Sequence, residues 1–179
     1  MKNVLIILSF VAVLLGCVNP NMPVSSVNEA DLEGAHKAVE AFQEVEALLP
    51  YFKDAVAYAV YPVVVRGGAG VGAAYGSGWS FRQDTVDGKT RVFQVDIGPQ
   101  LILESYRHII FFQTEKAYQS FQHNKAEFSG QFNIALVTIG TSITPAYNQE
   151  VAAFSQLHVG AGIEASVGAH SYTFTPVKN

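Results

Sequence analysis

Gly70-Val71-Gly72-Ala73-Ala74-Tyr75-Gly76-Ser77-Gly78-Trp79-Ser80-Phe81-Arg82 alternates large and small residues with a period of two. Val71, Ala73, Tyr75, Ser77, Trp79 and Phe81 point one way, and Gly70, Gly72, Ala74, Gly76 and Gly78 point the other. A period of two belongs to a β-strand, whose successive side chains face opposite sides of the sheet. A strand face of nearly bare backbone is weak by itself, so it marks sharp coiling or the very close approach of another element. Val159, Ala161, Ile163, Ala165 and Val167 against Gly160, Gly162 and Gly168 repeat the pattern more loosely. The two segments predict a strongly curved antiparallel sheet whose glycine faces receive a helix or a second sheet layer.

The surrounding chain supplies the partners. The texture turns to β after Pro62, with strands predicted over 70–82, 91–104, 107–113, 128–139 and 156–174. Asp87-Gly88 provides the positive φ angles of a tight turn, which pairs the first two long strands antiparallel. Ahead of them a helix begins at the cap Asn28, carries Glu29 and Asp31 in its first turn and ends at Pro50. Its stripe Leu32, Ala35, Val39, Phe42, Val45, Leu49 faces a core, and Glu33, Lys37, Glu40 and Glu44 face outward. That polar face is acidic, whereas a helix lying on an anionic bilayer shows Lys and Arg, so this is a packing helix. A second, short helix runs from the cap Thr114 to about His123, with Ala117, Tyr118 and Phe121 inward. The fold class is α+β: a curved, mainly antiparallel sheet, barrel- or sandwich-like, with an N-terminal helix and one further short helix.

The first residues have a different character. Lys2, the apolar run Val4 to Leu15, Gly16 and Cys17 read as a secretion signal, the run falling short of the roughly 20 apolar residues that span a bilayer. Leu14-Leu15-Gly16-Cys17 resembles the bacterial lipoprotein signal. That resemblance implies cleavage before Cys17 and acylation of its thiol with diacylglyceryl and palmitate-type chains. Cys17 is the only cysteine, so no internal disulfide forms and the core must hold the domain. By the same resemblance Val18, where an Asp favours inner-membrane retention, points to the outer membrane. The expected organisation is a signal peptide over 1–16, a lipidated flexible tether over 17–27, broken by Pro20 and Pro23, and a single domain over 28–179.

A net charge of -4 carries no electrostatic footprint for nucleic acid. Catalysis finds little support. Ser77 lies between Gly76 and Gly78, but a hydrolase elbow wants glycines two residues before and after, where Tyr75 and Trp79 stand. Asp96 and Glu104 share a strand face but lie eight residues apart at about 3.3 Å each, so they read as solvated strand residues. His36, His108, His123, His158 and His170 form no pair at two, three or four residues, so neither a metal site nor a cofactor is expected. Gly67-Gly68-Ala69-Gly70-Val71-Gly72 lacks the Lys-Ser/Thr ending of a phosphate loop and runs into a strand. Two readings remain for it: an anion site in which Arg66 and the amides of Gly67, Gly68 and Gly70 bind a lipid headgroup, or a tight turn with a solvent-facing Arg66. Arg82, Lys89 and Arg91 extend such a patch if the hairpin tip faces the bilayer, although Asp84 and Asp87 sit among them. Tyr75, Trp79 and Phe81 read as core.

The chain from about Leu49 onward resembles the SYLF domain family. The resemblance rests on Ala57-Tyr58-Ala59-Val60-Tyr61-Pro62, Arg66-Gly67-Gly68-Ala69-Gly70-Val71-Gly72, Tyr75-Gly76-Ser77-Gly78 and Gly98-Pro99-Gln100. Ile109 to Phe112 with Thr114-Glu115-Lys116-Ala117 and Phe121, then Ala161-Gly162-Ile163-Glu164-Ala165-Ser166-Val167-Gly168, complete it. It implies lipid binding, phosphoinositides included, or contact with actin. Ala69 replaces a usual aromatic, Arg66 a usual lysine, and the preceding helix is acidic. The sequence thus describes a non-enzymatic, membrane-anchored envelope lipoprotein with a lipid-binding SYLF-like domain; the alternative is a structural or adhesion-type protein with an envelope or host protein partner.

Overall fold

The computed structural model describes residues 28–123, 134–136, 150–164 and 167–177. Cys17, the expected tether and most of the strand predicted over 128–139 lie outside them. Asn28 accepts the Ala30 amide and opens helix α1 (Glu29–Gln43), and Glu33 and Lys37 pair across one turn of its exposed face. Pro50 does not end this helix. The chain breaks at Glu44 and Val45, makes a 3-10 turn (Glu46–Leu48) and enters a second helix, α2 (Leu49–Asp54), with Pro50 in its first turn, where a missing N–H costs nothing. The break shifts the buried stripe by one residue, so that Leu48 is buried and Leu49 exposed.

Strands β1 (Ala57–Arg82) and β2 (Thr85–Phe112) form one long antiparallel hairpin. The β texture therefore begins ahead of Pro62. Proline is tolerated because β1 is an edge strand and a bulge separates Tyr61 from Val64. The strands predicted over 91–104 and 107–113 are one. The turn lies at Gln83 and Asp84, with φ of 47° and 62°, and not at Asp87-Gly88. Gly88 pairs with both Ser80 and Pro176 inside the sheet, and Asp87 accepts hydrogen bonds from the Tyr118 hydroxyl and the Gln122 amide of helix α3 (Glu115–Gln122). Thr114 caps α3 by accepting the Ala117 amide, and Ala117, Tyr118 and Phe121 are buried.

Strand β3 (Ile134–Leu136) runs parallel to β4 (Val151–Glu164), which pairs with the second half of β2, while β5 (Val167–Pro176) pairs with the first half. The segment predicted as one strand over 156–174 thus belongs to two. The result is the curved, mainly antiparallel sheet with an N-terminal helix that the alternation implied; among the described residues it does not close into a barrel.

The glycines account for the curvature. A Cβ on Gly78 would lie 2.1 Å from the Val60 carbonyl oxygen, and one on Gly76 2.7 Å from Val64 Cγ2. The layer received by this glycine face is the first half of β1 itself. Gly70, with φ of 75°, sits in the bulge between Ala69 and Val71 and lets the strand turn back. The second glycine face, Gly160, Gly162 and Gly168, lies outside the described side chains.

Two cores result. On one sheet face Tyr58, Val60, Trp79, Phe81, Ile109, Phe111 and Phe154 pack under α1, the 3-10 turn and α2, through Ala35, Val39, Phe42, Leu48 and Tyr51. On the opposite face Tyr61, Val64, Ala74, Val92, Ile110, Phe112 and Tyr172 pack against Ala117, Tyr118 and Phe121 of α3.

Candidate functional site

Arg66 is neither solvent-facing nor open to a headgroup. It is 9% exposed, on the α3 side of the sheet. Its Nε and Nη2 donate to Asp96 Oδ2 at 3.0 and 2.9 Å, and Nη1 donates to Glu104 Oε1 at 3.3 Å. Asp96 is 2% exposed and also accepts from Gln94 Nε2 at 2.7 Å. The sequence placed these carboxylates apart and in solvent. They converge because residues 98–100 of β2 bulge opposite Gly70, so Asp96 and Glu104 reach one guanidinium. Gly67, Gly68 and Gly70 form this bend: a Cβ on Gly68 would lie 2.3 Å from the Gly72 Cα.

The other predicted cations do not join Arg66 in one patch. Arg82 turns to α3, donating to both Glu115 carboxylate oxygens at 2.6 and 3.0 Å and lying over the Tyr118 ring; Glu115 holds its pKa above the usual arginine value. Lys89 reaches across to α1, 3.3 Å from Asp31 Oδ2 and 5.4 Å from the centre of the Trp79 ring. Arg91, opposite Ser77, is exposed.

A serine–histidine pair emerges that spacing in the sequence did not suggest. His108 Nδ1 lies 3.0 Å from Ser155 Oγ, and Nε2 lies 3.4 Å from the Tyr172 hydroxyl. Ser155, opposite His108 on β4, comes from 47 residues away in sequence. Burial, together with the nearby His170, pushes the imidazole down to about 3, so it is neutral at ordinary pH. With both ring nitrogens engaged inside the core, it satisfies buried polar groups and has no open side for substrate. Among the described residues no three His, Cys, Asp or Glu side chains gather as a metal site.

Among the described residues the fold also leaves an apolar surface open. Beyond the area covered by α1 and α2, the same sheet face carries Val63, Val65, Val71 and Tyr75 of β1 and Phe93, Val95, Ile97, Leu101 and Leu103 of β2, all exposed. Register makes them neighbours: Val71 opposes Ile97 and Tyr75 opposes Phe93. Leu101 and Leu103 are 71% and 73% exposed. Tyr75, read as core, belongs to this surface, since α1 stops over Trp79 and Phe81. Alternation on the sequence distinguishes two faces but not which one the helices cover. At the edge of the covered area a cleft of about 400 Å³ opens between α1 and the hairpin, lined by Ala30, Asp31, Gly34, Pro62, Val63, Ser77, Gly78, Trp79 and Lys89. Compared with models of known protein families and with curated protein sequences, the chain matches none.

Proposed function

We propose that this chain is a non-enzymatic lipoprotein of the bacterial cell envelope, held through acylated Cys17, whose SYLF-like domain lays its open apolar sheet face on a lipid surface, the outer membrane by the reading of Val18. The observation that carries this reading is the uncovered ladder Val63, Val65, Val71, Tyr75, Phe93, Val95, Ile97, Leu101 and Leu103. Contiguous apolar surface of this kind is a contact surface, since water gains by its removal.

Two further features favour lipid as the occupant. Asp96 and Glu104, the carboxylates of this part of β2, turn to the opposite side and spend their charge on Arg66, so the face meets a bilayer without an acidic group to desolvate. The expected tether from Cys17 to Asn28 reaches at most about 40 Å when fully extended, and α1, which it enters, begins beside Val63 across the cleft. An acyl anchor would therefore hold the open face near the membrane.

Headgroup capture by one patch of Arg66, Arg82, Lys89 and Arg91 has no place in this reading, because Arg66 is buried on Asp96 and Glu104, Arg82 is held by Glu115 of α3, and Lys89 lies apart from both beside α1. The test is co-sedimentation of the Cys17→Ser chain with vesicles. Docking by an apolar face predicts binding that survives high salt, while binding through cations weakens steeply as the Debye length shrinks. A chain that ignores vesicles but retains a stoichiometric envelope protein would instead place a protein partner on the face.

A further inference from the structure

The cleft between α1 and the hairpin is open where packing gives no reason for it. Its helical wall contains Gly34, in the interior of α1. A glycine there weakens the helix relative to alanine. Nothing lies within 4 Å of where its Cβ would stand, and it is not among the glycines of positive φ. Neither crowding nor backbone conformation calls for glycine; its effect is to leave the space empty.

The walls define what fits. Trp79, 2% exposed, forms the floor, and Ala30, Pro62 and Val63 add apolar surface. Lys89 supplies an ammonium, Ser77 a hydroxyl and Asp31 a carboxylate. The Lys89–Asp31 pair is long, at 3.3 Å, and partly solvated on both sides, so a ligand can replace each partner at little cost. A phosphate matches Lys89 and the Ser77 hydroxyl, a primary ammonium matches Asp31, and an apolar segment leaves over Val63 onto the open face. We propose that this cleft binds the headgroup of an aminophospholipid, a phosphate joined to a primary ammonium. The assignment rests on the reading that the open face meets lipid. A quaternary ammonium has no N–H to give Asp31, and a purely anionic headgroup would meet that carboxylate with like charge.

Trp79 is the only tryptophan, so its emission reports on the cleft floor. The full chain in detergent micelles is titrated with water-soluble glycerophosphoethanolamine, with glycerophosphocholine and inorganic phosphate as comparisons. A saturable emission change is expected with the first alone. Gly34→Leu, which fills the space, and Lys89→Ala, which removes the phosphate partner, should each weaken it at least ten-fold without lowering the thermal unfolding temperature by more than a few degrees. No saturable response to glycerophosphoethanolamine, an equal response to either comparison ligand, or binding untouched by both substitutions overturns the proposal. Vesicle docking is read separately: a chain that binds vesicles yet ignores glycerophosphoethanolamine refutes the cleft assignment alone, and one that binds glycerophosphoethanolamine but no vesicles refutes the docking face.

Discussion

Replacing Arg66 with methionine separates a structural arginine from a ligand-binding one. Methionine is long enough to fill most of the vacated volume, so the loss is mainly electrostatic. Asp96, 2% exposed, would forfeit donors at 3.0 and 2.9 Å and keep Gln94 at 2.7 Å, while Glu104 would lose its contact at 3.3 Å. Removing one partner of a buried ion pair costs about 3–5 kcal/mol, because the charge left behind has lost its counter-charge. With a urea m-value of about 2 kcal/mol/M, the unfolding midpoint should fall by roughly 2 M. The double variant Arg66→Met/Asp96→Asn removes both charges and should recover more than half of that loss, since an uncharged buried cluster is far cheaper to hold. Vesicle binding of the folded fraction should not change. A loss below about 1 kcal/mol for Arg66→Met, accompanied by weaker vesicle binding, would refute the argument and return Arg66 to the surface.

Other consequences are as direct. Gly78→Ala would drive a methyl into the Val60 carbonyl, 2.1 Å away, and should cost about 3 kcal/mol, the upper range for overpacking, whereas Gly34→Ala meets nothing and should gain about 1 kcal/mol in thermal unfolding. His108 is depressed to about 3 in the fold, below its unfolded value, so the unfolded chain binds the extra proton. Stability should therefore be full above about pH 6.5 and fall on acidification toward pH 3, by at most about 1.4 kcal/mol per unit from this group. His108→Gln should flatten its share of that slope in pH-dependent urea melts, and His170, desolvated, and His158, desolvated and beside the Arg107 charge, contribute in the same direction. Cys17→Ser should lower, without abolishing, the share of the protein in the membrane pellet in cell fractionation, because several acyl chains at about 0.8 kcal/mol per methylene add to the affinity of the open face.

The curved sheet was legible because glycine alternation over Gly70–Gly78 is a local signal with one physical meaning, and the caps Asn28 and Thr114 lie beside the amides they bind. The turn was not. Asp87-Gly88 has the right residues, but Tyr118 and Gln122, more than thirty positions on, claim Asp87 and hold it within the sheet. Pro50 suits the start of a helix as well as its end, and only packing of Leu48 decides between them. For the site, the limit was pairing across the sheet. Strand spacing kept Asp96 and Glu104 apart because it assumed a straight ladder, and the bulge opposite Gly70 brings both to Arg66. Likewise Ser155 meets His108 only through the β2–β4 register. The open face was hidden for a simpler reason: its valines, leucines and aromatics look like core residues until the reach of α1 over the sheet is known.

Whether the open sheet face docks on lipid is read from the partition of Leu101→Ser/Leu103→Ser into vesicles. At 71% and 73% exposure these side chains are free of the core, so the melting temperature should stay within a few degrees. Each leucine contributes roughly 1.5 kcal/mol when buried in the bilayer interface, so in the Cys17→Ser background the pair should weaken partition about a hundred-fold at both low and high salt. Unchanged partition, or binding that vanishes in high salt while ignoring the leucines, would mean that the face does not dock on lipid.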